Sequence, residues 1–142
     1  MDAEQHRALA RIRQFYDSVY YRRIEARRGV SRHLRRLARR LRIAGGMRVL
    51  DVGCGTGEWL RAARELGAEP SGIDLSQKAI DACRAAMPQG DFRCGPAERL
   101  PFPDAAFHRV SCLGSLEHFV DPARGSCCSC PTPTSSPVAW AC

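Results

Sequence analysis

The stretch VLDVGCGTGEW, Val49 to Trp59, limits what this 142-residue chain can fold into more than any other part of it. MRVLDV (47–52) is a short apolar, β-branched run of the kind buried in a parallel sheet. Three glycines then lead into EWLRAARELG (58–67), where Leu60, Ala63 and Leu66 share one helical face and Gly67 marks the stop. The same alternation recurs downstream. A second strand is expected from Pro70 to Asp74, followed by a helix capped by Ser76 that runs to about Met87 and is ended by Pro88 and Gly90. DFRC (91–94) reads as a third strand, GPAERLPFPDAA (95–106) as a loop and FHRVSCL (107–113) as a fourth strand. Strands alternating with short helices specify βαβ units with right-handed crossovers, so the expected class is α/β with a parallel sheet.

The N-terminal part has a different character. Leu9, Ile12, Tyr16 and Val19 recur at helical spacing, as do Val30, Leu34, Leu37 and Leu41, which predicts two helices separated at Gly29, the second capped by Ser31. The formal net charge of +7 is concentrated here: residues 1–48 carry 14 Arg against 4 acids. No nucleic-acid signature accompanies this charge, and a solvated helical face is the expected reading. No apolar run approaches the roughly 20 residues of a membrane span. With no secretory leader recognisable either, a cytoplasmic protein is expected. Cys54, Cys83, Cys94 and Cys112 lie singly in the body of the chain and read as small buried hydrophobes. Cys127, Cys128, Cys130 and Cys142 crowd the uncharged segment GSCCSCPTPTSSPVAWAC (125–142), without a histidine or a second pair at zinc spacing. No metal site is expected there. That segment reads as a disordered or aberrant tail.

A strand that turns through Gly53, Gly55 and Gly57 into a helix leaves backbone N–H groups open to a ligand. The spacing is G-x-G-x-G, not the G-x-G-x-x-G of dinucleotide sites, and Glu58 in the first helical turn would repel a phosphate. A phosphate-free nucleoside is the ligand expected, with positive charge on it compatible. Asp74, 17 positions after Gly57 at the end of the second strand, can accept hydrogen bonds from both ribose hydroxyls. Its other reading is a turn residue next to the Ser76 cap.

VLDVGCGTG (49–57), GIDLS (72–76), AERLPFPDAAFHRV (97–110) and LGSLEHFVDP (113–122) together resemble the class I S-adenosylmethionine-dependent methyltransferases, in particular the group containing the quinone-biosynthesis C-methyltransferases. The resemblance spans roughly residues 45–122. It implies a Rossmann-like sheet in the order 3-2-1-4, the first part of a seven-stranded fold whose later strands have no counterpart here, as in a C-terminally truncated member. Residues 1–44 would be a helical segment serving as lid or substrate side, 45–124 the cofactor-binding unit and 125–142 the tail. Asp51, Gly53, Cys54 and Gly55 would face the methionine part of the cofactor, with Gly57 completing the turn. Asp74 would hold the ribose, Leu75 pack on adenine, Ala97 and Glu98 lie at the adenine edge, and Leu113 and Gly114 border the sulfonium. Pro96 stands where many relatives have an acid, and His108 where many have Asp.

Tyr16, Tyr20 and Tyr21 would form either a lid or core packing. Glu117 and His118 are the candidate general bases, with a packing role as the other reading of His118. The implied function is methyl transfer to a small-molecule acceptor. The alternatives are a cofactor-binding remnant without turnover and, against the glycine spacing, an NAD-dependent oxidoreductase. Partners other than the acceptor are not expected, apart from self-association through an open edge of strand four.

Overall fold

The computed structural model describes residues 2–22 and 29–113. The elements in chain order are α1 (Ala3–Phe15), a π-helical turn (Tyr16–Tyr20), α2 (Arg32–Arg40), β1 (Arg48–Val52), α3 (Glu58–Glu65), β2 (Glu69–Asp74), α4 (Gln77–Ala86), β3 (Asp91–Cys94) and β4 (Arg109–Ser111). The four strands form one sheet in the order β3-β2-β1-β4, and every neighbouring pair is parallel. This is the order expected for the Rossmann-like half-sheet. The tail 125–142 lies outside the described residues, as do Gly114, Glu117 and His118.

Period-2 alternation along β1 divides the core. Val49 joins Trp59, Leu60, Ala63, Ile80 and Cys83 on the face covered by α2, α3 and α4. Leu50 and Val52 join Ile73 and Cys112 on the other face, where Phe102 and Phe107 of the loop after β3 pack edge-to-face at 5.2 Å. Of the four body cysteines, Cys54, Cys83 and Cys112 are buried as expected and Cys94 is half-buried.

Pro70 sits inside the central strand β2, where a missing N–H would normally cost a ladder bond. The Glu69 N–H points to β1, donating to Met47 O at 2.8 Å, so the Pro70 nitrogen faces the opposite side. Pairing with β3 begins only at Ser71 opposite Asp91, and the proline therefore falls before that ladder starts.

The caps fall where expected: Ser31 Oγ accepts from Leu34 N and Ser76 Oγ from Ala79 N, each at 3.2 Å. Strand four is shorter than the 107–113 predicted, and His108 makes contacts to β1 just before it. Its backbone N–H donates to Arg48 O at 2.9 Å and its Nδ1 accepts from Arg48 N at 3.0 Å. His108 thus closes the start of the β1–β4 pair, which gives the departure at this position a structural role. Among the described residues β4 is an edge of only three residues, and short edge strands limit edge-to-edge pairing.

The first helix departs from the expected stripe. Regular α-helix ends at Phe15, where the Tyr21 N–H reaches back five residues to Tyr16 O at 2.8 Å. The wider π turn rotates its residues off the 3.6-residue period. Val19 accordingly leaves the apolar face and is 59% exposed, and no residue of α1 is buried.

Candidate functional site

At the C-terminal ends of β1 and β2 the sheet opens into a cavity of about 490 Å³. This is the position where open parallel α/β sheets place their ligands. Asp51, Gly53, Cys54 and Gly55 line it from β1 and its turn, Asp74 and Leu75 from the end of β2, and Ala97, Glu98 and Leu113 from the later segments. Gly57 does not line it. Its φ of +78° starts α3 from the left-handed region, and a Cβ there would come within 2.9 Å of both Cys83 Sγ and Met87 Cε. Gly57 therefore serves the packing of α4 against the turn. Gly55, with φ +53°, does face the cavity, and an added Cβ would meet the Tyr21 hydroxyl at 3.0 Å.

Asp74 combines its two sequence readings. Its Oδ2 accepts from Gly55 N and its Oδ1 from Ser76 N, both at 2.9 Å, so one carboxylate fixes the glycine turn and the start of α4 while lining the cavity. Burial pushes its pKa up, and the two backbone donors pull against that. Asp51 is only 3% exposed and accepts from Ser111 Oγ at 2.6 Å. Burial pushes its pKa up to about 7, against the Ser111 hydrogen bond and with a further upward push from Asp74. Burial and the Asp74 carboxyl also raise the Tyr21 phenol, and contact with Cys83 followed by burial raises the Cys54 thiol.

Tyr16, Tyr20 and Tyr21 line the cavity and are not core residues; Tyr20 is 65% exposed. Their rings contact one another edge-on or tilted, with centroids 4.9 to 6.0 Å apart. The π-helical turn that carries them is held by Asp17, whose Oδ1 accepts from Ser76 Oγ at 2.6 Å at the N-terminus of α4. Asp17 is a residue the sequence reading missed, because the contact spans 59 positions and nothing local marks it. Ser111 and Trp59 were missed as well. For Ser111 a signal existed, since strand alternation puts it on the side of Leu113. Glu58, read from the sequence only as a charge hostile to phosphate, lines the cavity and also accepts from Ser31 N at 3.1 Å, tying α2 to α3.

Four carboxylates therefore line the cavity, those of Asp51, Glu58, Asp74 and Glu98, and among the described lining residues there is no Lys, Arg or His. No helix of the described residues is long and apolar enough to cross a membrane.

The comparisons with known proteins agree with this fold. The chain is 40% identical over 82 residues to the ubiquinone biosynthesis O-methyltransferase of Idiomarina loihiensis, covering 54% of this chain and 34% of that protein. It is 37% identical over 79 residues to the demethylmenaquinone methyltransferase of Chlorobaculum parvum, covering 55% and 33% respectively. The chain thus spans about a third of the length of these curated relatives. The crystal structure of an S-adenosylmethionine dependent methyltransferase from Mesorhizobium loti matches with a TM-score of 0.56 at 32% identity, over 63% of this chain and 44% of that one. A family described as a methyltransferase domain matches residues 49–129, from the first strand of the sheet onward. With more than half of its length in that match and the glycine turn, sheet order and cavity in place, the chain belongs to the methyltransferase-domain family.

Proposed function

We propose that the cavity binds S-adenosylmethionine and that the protein transfers its methyl group to a small-molecule acceptor. One observation carries the reading: in a chain of net charge +7, the cavity wall presents four carboxylates and, among the described residues, no basic side chain. A phosphate would meet repulsion there, whereas a phosphate-free cation is attracted. The volume lies within the roughly 300–1,000 Å³ of small-molecule sites. The residues present therefore fit the cofactor.

In this reading Asp74 accepts from the ribose hydroxyls while its backbone donors keep it in place. Leu75, Ala97 and Glu98 surround adenine. Asp51, Gly53, Cys54 and Gly55 face the methionine part, and Leu113 stands toward the transferred group. The unit 45–124 holds the cofactor, and the tyrosines of segment 1–44 close over it. When bound, the sulfonium supplies an electrophilic methyl group that an acceptor displaces directly, so alignment of the acceptor provides much of the rate. Glu117 and His118 are the candidates for accepting a proton where the acceptor must lose one. The names of the matched relatives point to quinone-type acceptors, and we infer a small phenolic or quinol molecule.

Calorimetric titration with S-adenosylmethionine, NAD and ATP tests the cofactor assignment. Saturable binding of the first alone is expected, and binding of NAD without S-adenosylmethionine would overturn it. Incubation with methyl-labelled cofactor and quinols then separates an enzyme from a binding protein, since label in the acceptor requires turnover.

A further inference from the structure

Three polar side chains from three elements form a single buried chain beside the cavity. The Trp59 indole N–H on α3 donates to Ser111 Oγ at 2.8 Å, and the Ser111 hydroxyl on β4 donates to Asp51 Oδ1 on β1 at 2.6 Å. None of the three is more than 4% exposed. The hydroxyl has a second acceptor, Leu50 O, at the longer distance of 3.3 Å, so its proton is directed to the carboxyl. The Trp59 donor occupies a lone pair of the same oxygen and helps fix that orientation. Asp51 and Trp59 also line the cavity; Ser111 stands behind them. A hydroxyl that gives its one proton to a carboxylate favours the charged form over the neutral acid.

We propose, on the reading that the cavity takes S-adenosylmethionine, that Ser111 and Trp59 are positioning residues that favour the charged form of Asp51 at the cavity wall against its burial and thereby raise the affinity for the sulfonium cofactor relative to that for its uncharged thioether product. The two ligands share their adenosine and amino-acid parts and differ by one methyl group and one positive charge at sulfur. A change in the charge of Asp51 therefore acts on their affinity ratio, while effects on the shared parts largely cancel. Burial opposes the charge and Ser111 supports it, which brings the titration of Asp51 to about pH 7.

The other titratable groups around the cavity are Asp74 on β2, Glu58 on α3, Glu98 after β3, the Cys54 thiol and the phenols of Tyr16, Tyr20 and Tyr21. The Cys54 thiol and the Tyr21 phenol are shifted upward and stay uncharged near neutrality. Asp74 takes hydrogen bonds from the Gly55 and Ser76 amides and none from Ser111 or Trp59, so a change at those two residues acts directly on Asp51 and reaches Asp74 only through the charge interaction between the two carboxyls.

The test is calorimetric titration of the full chain with S-adenosylmethionine and with S-adenosylhomocysteine between about pH 5.5 and 8, for the wild type and for Ser111→Ala, Trp59→Phe and Ser111→Thr. In the wild type the affinity ratio should rise in favour of the cation by up to about tenfold per pH unit and level off above the Asp51 titration. Ser111→Ala should move the rise to higher pH and lower the ratio at pH 7 by roughly threefold or more. Trp59→Phe, which keeps the ring but loses the donor, should shift it the same way by less. Ser111→Thr, which keeps the hydroxyl, should restore the profile. A wild-type ratio independent of pH overturns the proposal, as do variants that weaken both ligands equally with the profile unmoved. A wild type that binds neither ligand removes the cofactor reading itself, and this proposal with it.

Discussion

At the scale of single residues, the site depends on groups that each serve two neighbours. Asp74 receives the Gly55 and Ser76 amides while it faces the cavity. Asp74→Ala should therefore loosen the turn and the α4 start together and weaken S-adenosylmethionine at least about tenfold, since a hydrogen bond to a charged group contributes roughly 1.5–3 kcal/mol; titration calorimetry measures this. Gly57→Ala probes packing instead of contact. It would put a Cβ 2.9 Å from Cys83 Sγ and from Met87 Cε at a φ of +78°, and a loss of about 1–3 kcal/mol in denaturant unfolding is expected. If stability is unchanged, the turn has more room than the structure shows. The sequence grouped Gly53, Gly55 and Gly57 as one ligand-facing set. Tertiary packing separates them, because Gly57 abuts α4, which lies about twenty or more residues further along the chain.

Among the elements, the π-helical turn is docked on α4 through Asp17. Asp17 accepts the Ser76 hydroxyl at the N-terminus of α4, where the helix dipole favours an acid, and so helps to seat the tyrosines at the cavity. Asp17→Ala should cost about 1 kcal/mol of docking. The expected readout is faster amide exchange at residues 16–21 and a cofactor affinity reduced about fivefold, with little change in the melting temperature. Unaltered exchange in this segment would show that Asp17 does not hold it. The helix itself was legible from Leu9 and Ile12. The switch to π geometry was not, because a five-residue hydrogen bond leaves no periodic trace in so short a run.

For the whole molecule, the buried Asp51 links stability to pH. Its folded-state pKa of about 7 lies above the ordinary value of 3.8, so folding favours the protonated acid relative to the unfolded chain, even with Ser111 supporting the charged form. The stability this provides is complete below the unfolded value and is lost as pH rises through about 7. At about 1.4 kcal/mol per pKa unit the loss is on the order of 4 kcal/mol. Asp51→Asn removes the buried charge and should raise the melting temperature increasingly from pH 5 to about pH 7 and then by a constant amount up to pH 8, while weakening binding of the cationic cofactor. Parallel melting curves for the two proteins across that range would show that the carboxyl is not under the strain its burial implies. The exposed Arg35–Glu65 pair, at 2.6 Å, lowers the Glu65 pKa but belongs to the solvated face and adds little.

The alternation of short apolar strands with capped helices was enough by itself to specify a parallel α/β sheet and the glycine turn after its first strand, while the strand order was legible only through the resemblance to a known family. These features rest on local signals: period, caps and turn residues. The acidic lining of the cavity was partly legible too, in Glu58 and Asp74. What joins Trp59, Ser111 and Asp51 into one chain, docks Asp17 on Ser76 and turns Gly57 from ligand to packing was decided only in three dimensions. Each of those contacts joins segments that are adjacent only once the sheet has formed, and the burial that shifts Asp51 does not exist before then.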